Sequence, residues 1–308
     1  MFNSRSPAEE EEEGVKELHI NFGAIPERYS AWKTARFVVI PVPYDATTTY
    51  VSGARNGPVA ILNASANIEL FDDEMKLEPY REGIFTAPFV EANLSSVETM
   101  IKDIEKAVER PVKAGKFPII LGGEHTVTLG ALQPLREKYG EFSVLVLDAH
   151  GDLRDEYLGT KWNHACTTRR IFDMGFPLVQ AGVRSLSEEE DRFIRRNALK
   201  TYYAHELKFN TKDVINAIIA NLTERVYVSI DLDFFDPSEM PAVGTPEPGG
   251  LDWYTGLEVL HEVFRKKEVI GFDVVELSPI PGMVAPDFFA AKLIYRLMGY
   301  AISYSRGK

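Results

Sequence analysis

Short runs of apolar residues recur along the chain, and longer segments with apolar positions at helical spacing separate them. The runs are rich in valine, isoleucine and leucine, which is typical of strands buried on both faces. They cover residues 37–42, 117–121, 143–147, 178–183, 226–230 and 269–275. The segments with helical spacing cover residues 96–114, 126–135, 165–174, 187–197, 214–222, 254–264 and 286–302, and a further helix starts near Pro58.

This alternation of strands and helices predicts an α/β fold. We expect a single-domain three-layer α/β/α sandwich with a mainly parallel sheet of about eight strands. The domain is expected to span residues 17–308, because no repeat or linker divides that range. Residues 1–16 contain the acidic run Glu9–Glu13 and are expected to form a disordered, solvated tail.

Composition and charge indicate which kinds of binding partner and which cellular compartment suit this protein. The formal net charge of −12 argues against nucleic acid or an anionic membrane and permits a small cationic substrate. The single cysteine, Cys166, excludes an internal disulfide and fits a reducing compartment. The sequence has neither an apolar stretch long enough for a membrane span nor a signal-peptide pattern, so we expect a cytoplasmic protein.

Acidic and imidazole side chains follow four of the predicted strands, at the point where each strand ends. They are His125, then Asp148, His150 and Asp152, then Asp231 and Asp233, and finally Glu276. Because the carboxyl ends of parallel strands meet at one edge of a sheet, we expect these side chains to share a cleft. An exposed Asp/His loop after a strand is the alternative for any one of them alone.

The number and type of these groups indicate a metal site. Four aspartates and two histidines are too many for one tetrahedral zinc. They suit two octahedral cations that share bridging carboxylates, and a carboxylate-rich set favours Mn²⁺. Two such ions, about 3.5–4 Å apart, lower the pKa of a water held between them. The reaction class that follows is metal-assisted hydrolysis.

Three motifs resemble the signatures of the ureohydrolase family, which includes arginases and agmatinases. They are Gly-Gly-Glu-His-Thr at 122–126, Asp-Ala-His-Gly-Asp at 148–152 and Ser-Ile-Asp-Leu-Asp-Phe-Phe-Asp-Pro at 229–237. The similarity also includes residues 52–58, 163–165, 181–185 and 273–276, and is greatest to prokaryotic agmatinases. Glu124 is a departure, since many members have aspartate there.

The resemblance implies a role for each of these residues. One Mn²⁺ would bind His125, Asp148, Asp152 and Asp231, and the other would bind Asp148, His150, Asp231 and Asp233. Glu276 would clamp the planar guanidinium of the substrate through a bidentate, charge-assisted pair. Asp152 would orient the attacking hydroxide, and His164 would deliver a proton to the leaving amine. The alternative for His164 is a surface histidine at the start of a helix.

The loop at 153–163 bears on the choice of substrate. It does not resemble the arginase loop that binds the α-carboxylate, and Asp155 and Glu156 would repel a carboxylate in the cleft. We therefore expect cleavage of agmatine to putrescine and urea, a step of polyamine biosynthesis, with Asp155 and Glu156 as substrate-binding residues. N1-aminopropylagmatine, arginine or another guanidino acid are the alternatives within the family.

Two other classes of protein are alternatives to an agmatinase. A metal-binding protein without ureohydrolase activity would be expected to lack one of the six ligands, and a deacetylase-type relative would have a single-zinc ligand set. The sequence retains both Asp148-Ala149-His150-Gly151-Asp152 and Asp231-Leu232-Asp233, which favours the ureohydrolase. Because the family usually forms trimers or hexamers, we also expect a homo-oligomer.

Overall fold

The computed structural model describes residues 20–305, and within them eight parallel strands form one sheet. The strands are β1 (Phe37–Pro41), β2 (Ile84–Thr86), β3 (Phe117–Leu121), β4 (Ser143–Leu147), β5 (Leu178–Val183), β6 (Lys200–Tyr203), β7 (Arg225–Asp231) and β8 (Glu268–Val275). Their order across the sheet is β2-β1-β3-β8-β7-β4-β5-β6. Strands β8 and β7 therefore lie at the centre of the sheet, between β3 and β4.

Helices cover both faces of the sheet. They are α1 (Glu27–Ser30), α2 (Gly57–Ser65), α3 (Val97–Lys113), α4 (Leu129–Tyr139), α5 (Thr167–Asp173), α6 (Glu188–Asn197), α7 (Ala204–Phe209), α8 (Thr211–Asn221), α9 (Trp253–Lys266) and α10 (Ala285–Ser303). Helices α2 and α7–α10 pack against one face, and α3, α4 and α5 pack against the other. The predicted three-layer α/β/α sandwich is confirmed.

Alternation along each strand divides the core between the two faces. In β1, Phe37 and Val39 join the cluster under α2 and α10, whereas Val38 and Ile40 join the cluster under α3 and α4. All five residues of β1 are buried. This burial explains why the central strands are continuous apolar runs in the sequence.

The two strands that the sequence pattern missed lie at the edges of the sheet. Strands β2 and β6 were not located by the sequence pattern; β2 has three residues, and β6 is exposed or half-buried along its length. The predicted helix at 126–135 begins with a 3₁₀ turn at His125–Thr128 and becomes α-helical at Leu129. The expected tail at residues 1–16 lies outside the described residues. None of the helices in residues 20–305 combines the length and apolar character that a bilayer span requires.

Candidate active site

Four neighbouring strands, β3, β8, β7 and β4, end at the floor of one cleft. His125 lies just after β3, Asp148 just after β4, and Asp231 is the last residue of β7. The structure thus brings together side chains from distant parts of the chain, as the strand pattern predicted. The cleft has a volume of about 280 Å³ and is lined by Thr49, His150, Gly151, Asp152, Arg154, Tyr157, His164, Ala165, Ser185, Leu186, Ser187, Glu190, Asp231, Asp233, Thr245 and Glu276.

His125 is surrounded by three aspartates at the deepest point of the site. Its Nδ1 atom lies 3.0 Å from Oδ2 of Asp148. It lies 3.4 Å from an Oδ2 atom of both Asp152 and Asp231. His125, Asp148 and Asp152 are close enough to hold one metal ion.

A second group shares Asp148 with the first. Nδ1 of His150 lies 2.8 Å from Oδ2 of Asp233 and 3.6 Å from Oδ1 of Asp148. Asp148, His150 and Asp233 could also hold an ion. Asp148 therefore directs one carboxylate oxygen to each group, which is the arrangement that a bridging ligand needs.

The spacing of two residues between the candidate ligands has a local cause. Oδ1 of Asp148 accepts a hydrogen bond from the backbone N–H of His150 at 2.6 Å. Oδ1 of Asp231 accepts one from the backbone N–H of Asp233 at 2.9 Å. In both motifs the first aspartate closes an Asx turn that orients the next ligand two positions along the chain.

Two buried atoms at the centre of the site lack hydrogen-bond partners. They are Nδ1 of His125 and Oδ2 of Asp148, which face each other. Buried polar atoms are nearly always paired, and an imidazole nitrogen beside a carboxylate oxygen is a donor set suited to a divalent cation. The residues present therefore fit a metal centre.

The carboxylates repel one another in this buried setting. Burial, followed by the charge of Asp148, raises the pKa of Asp152 to about 7. Burial and the charges of Asp233 and Asp148 raise the pKa of Asp231 well above its ordinary value. Although burial opposes the ionisation of Asp148, the neighbouring imidazoles of His125 and His150 lower its pKa. Divalent cations among these groups would offset the repulsion.

Glu276 stands above the first group at the end of β8. Its Oε1 accepts a hydrogen bond from the backbone N–H of His125 at 2.7 Å, and its own N–H donates to the carbonyl of Gly123 at 2.8 Å. Burial, followed by the charge of Glu124, raises the pKa of Glu276 to about 8. Glu276 and Asp152 both have left-handed backbone conformations, with φ of 65° and 49°. Such strain often accompanies functional sites.

His164 lies on the cleft wall at the start of the 3₁₀ turn His164–Cys166. The side chain of Asn163 caps this turn by accepting from the N–H of Ala165 at 3.0 Å. Burial, followed by the positive charge of His150 and His125, lowers the pKa of His164 to about 4. A neutral imidazole therefore faces the cleft at neutral pH.

The structure does not bring Asp155 and Glu156 to the cleft. Asp155 forms ion pairs with Arg170 at 2.8 Å and Arg169 at 3.5 Å on α5. Glu156 is exposed, and neither residue belongs to the cleft lining. Their proposed role in substrate binding stays a prediction from the sequence.

Sequence reasoning missed several residues at the cleft. Oε1 of Glu247 accepts from the hydroxyl of Ser185 at 2.9 Å and lies 3.8 Å from Nε2 of His150. Glu190 forms a capping box with Ser187 at the start of α6, and that spacing could have indicated its position. Thr49 belongs to an irregular loop, and no local pattern indicates it.

A sequence model described as the arginase family matches residues 35–299. This match extends over well more than half of the chain.

The chain belongs to the arginase family.

Individual relatives of this arginase-family protein agree with that assignment. An N(1)-aminopropylagmatine ureohydrolase from Synechocystis sp. is 40% identical over 280 residues, which cover 89% of this chain and 92% of that protein. An agmatinase from Pyrococcus horikoshii is 37% identical over 268 residues, covering 87% of this chain and 92% of that protein. The crystal structure of agmatine ureohydrolase of Thermoplasma volcanium superposes with a TM-score of 0.83 and 32% identity, covering 92% of this chain and 94% of that one. The protein is therefore a ureohydrolase of guanidino compounds.

Proposed function

We propose that the protein is a binuclear-manganese ureohydrolase whose substrate is agmatine or its N1-aminopropyl derivative. The observation that supports it best is the pair of His/Asp groups that share Asp148 beneath Glu276. Agmatine would yield putrescine and urea. The relatives that are 40% identical and named N(1)-aminopropylagmatine ureohydrolase favour the longer substrate.

Six side chains would hold the two ions, which we propose to be Mn²⁺. They are His125, Asp148, His150, Asp152, Asp231 and Asp233. When bound, two such cations supply Lewis acidity and the positive charge that makes water nucleophilic near neutral pH. Oxygen-rich ligand sets of this kind suit manganese better than a structural zinc.

Side chains around the ions would bind the substrate and move protons. The carboxylate of Glu276 would accept two parallel N–H bonds from the guanidinium, which places the guanidinium carbon above the ligand groups. Asp152 would accept a hydrogen bond from the attacking water. The imidazole of His164, which is neutral at rest, would take up a proton from solvent and give it to the amine nitrogen as the bond from that nitrogen to the guanidinium carbon breaks.

Urea release from four compounds tests the substrate. Agmatine, N1-aminopropylagmatine, arginine and 4-guanidinobutyrate should be compared side by side with the manganese-loaded protein. The two acids belong in the set because Arg154 lines the cleft and could pair with a carboxylate. We expect higher kcat/KM for the two amines. A preference for arginine or 4-guanidinobutyrate would overturn the substrate assignment.

A further inference from the structure

The segment between β1 and α2 is hydrogen-bonded to the loop that carries His125. The carbonyl of Tyr44 accepts a hydrogen bond from the N–H of Glu124 at 2.7 Å. The two backbones lie so close that a Cβ atom on Gly123 would stand 1.9 Å from that carbonyl oxygen. Only glycine permits this approach.

The buried carboxylate of Glu124 binds the same segment a second time. Its Oε2 accepts from the N–H of Thr47 at 2.6 Å, and its Oε1 accepts from the hydroxyl of Thr47 at 2.7 Å. The hydroxyl of Thr126 donates to Oε1 as well. The side chain that accepts these three hydrogen bonds is 0% exposed. An aspartate, shorter by one methylene group, could not keep the same reach to Thr47.

From Thr47 the contacts continue to His164. The hydroxyl of Thr47 accepts from the backbone N–H of His164 at 2.9 Å. Two residues later, the hydroxyl of Thr49 lies 3.2 Å from Nε2 of the His164 imidazole. The segment thus holds both the backbone and the ring of this histidine.

We propose that Thr49 is a positioning residue for His164 and that Glu124 holds the segment that presents Thr49. The proposal rests on the role given to His164 in the proposed function. A hydroxyl both donates and accepts, so Thr49 can bond Nε2 of a neutral ring and can also bond Nε2–H of a protonated one. The ring therefore keeps its orientation before and after a proton leaves it.

Kinetics of matched variants in the manganese-loaded enzyme test the role of Thr49. Thr49→Val removes the hydroxyl at nearly constant shape, whereas Thr49→Ser retains it. We expect Thr49→Val to lower kcat by about tenfold, which is less than the loss of kcat expected when a general acid is removed altogether. KM and metal content should not change in Thr49→Val. The Thr49→Ser variant should keep the kcat of the wild type. In a His164→Ala background, Thr49→Val should cause no further loss, because the two residues act as one unit.

Two further measurements do not depend on turnover. Acylation of His164 by diethyl pyrocarbonate, followed by peptide mass spectrometry, should be faster in Thr49→Val than in wild type and in Thr49→Ser. Hydrogen exchange at the amides of Thr47 and His164 should increase in Glu124→Asp and less in Glu124→Gln, which keeps the reach. Metal content of both Glu124 variants is measured in parallel.

The outcomes distinguish the positioning role of Thr49 from the proposed function of the protein. Unchanged kcat and unchanged acylation in Thr49→Val would overturn the positioning role. An equal loss of kcat with His164 present and absent would also overturn it. If no guanidino compound releases urea but acylation and exchange change as expected, the proposed function fails and the positioning role stands.

Discussion

Nε2 of His125 lies 3.0 Å from the hydroxyl of Ser229, on the opposite side of the ring from the aspartates. Ser229 donates its own proton to Asp273 at 2.7 Å, so its oxygen accepts from Nε2–H. This places a proton on Nε2, so in the neutral ring the nitrogen with a free lone pair is Nδ1, which faces Asp148. That tautomer is the one a metal-binding imidazole requires.

Removal of the Ser229 hydroxyl should therefore weaken metal binding. We expect Ser229→Ala to lower the affinity for Mn²⁺ by about 10–100-fold, the usual effect of losing a partner of a ligating histidine. Isothermal titration of the metal-free protein measures this. Tyr227→Phe is the matched control, since it removes another donor to Asp273 and leaves Ser229 in place. An affinity that Ser229→Ala does not change would refute the tautomer argument.

Asp148 faces both groups, so its loss should affect both ions. We expect Asp148→Asn to abolish stoichiometric metal and nearly all turnover, and Asp231→Asn to do the same. Elemental analysis of the purified protein measures the metal content, and urea release measures the turnover. Glu189→Gln, a similar charge removal at an exposed position of α6, should leave metal content and turnover as in wild type. Retained activity in Asp148→Asn would contradict a bridging role.

His164 should affect turnover without affecting the metals. We expect His164→Ala to lower kcat by about 10²–10⁴-fold, the range for loss of a general acid or base. Metal content should stay at the wild-type level, because the hydrogen bonds of His164 go to Thr47 and Thr49, neither of which is a proposed metal ligand. The exposed His205 on α7 provides a control, and His205→Ala should behave as wild type. Loss of metal in His164→Ala would count against a role confined to proton transfer.

The structure predicts that Asp155 and Glu156 contribute little to substrate binding. Asp155→Asn should remove a half-exposed ion pair with Arg170 and lower the free energy of unfolding by about 0–1 kcal/mol. Glu156→Gln should change neither stability nor KM. Denaturant unfolding and KM for agmatine measure both effects. A severalfold rise in KM in either variant would instead support the substrate-binding role that the sequence suggested.

The lowered pKa of His164 also predicts a dependence of stability on pH. Burial lowers the pKa to about 4, below the ordinary value of 6.5. Between these pH values the unfolded chain binds a proton at this residue and the folded chain does not, so stability falls as pH falls. Urea denaturation of metal-free protein at pH 7.5 and pH 5 should show a larger loss for wild type than for His164→Gln. Equal losses would show that His164 titrates normally.

Much of the fold could be predicted, because parallel strands that are buried on both faces appear in the sequence as continuous apolar runs. A strand such as β4, with both faces covered, is apolar from Val144 to Leu147, and the candidate ligands Asp148 and His150 follow within three residues. Strands β2 and β6 carry no such signal. They lie at the sheet edges, where few positions need to be apolar, and β2 is shorter than any periodic pattern.

The surroundings of the site were harder to predict, because loop residues acquire their partners only when the chain folds. Asp155 forms ion pairs with Arg169 and Arg170 on α5 and with Lys161 in its own loop, and it does not belong to the cleft lining. Thr49 meets His164 across 115 positions of sequence. No spacing rule connects residues so far apart in irregular segments. Charge alone suggested Asp155 as a substrate-binding residue, and no local pattern in the sequence indicated Thr49.

The left-handed backbone of Asp152 and Glu276 limits how this protein can evolve towards greater stability. A non-glycine residue in that conformation costs about 1–2 kcal/mol, which glycine would recover. Glycine would also delete the carboxylate that each position contributes to the cleft. Selection for heat resistance alone would thus favour inactive descendants, and retention of both acids marks a compromise between durability and turnover.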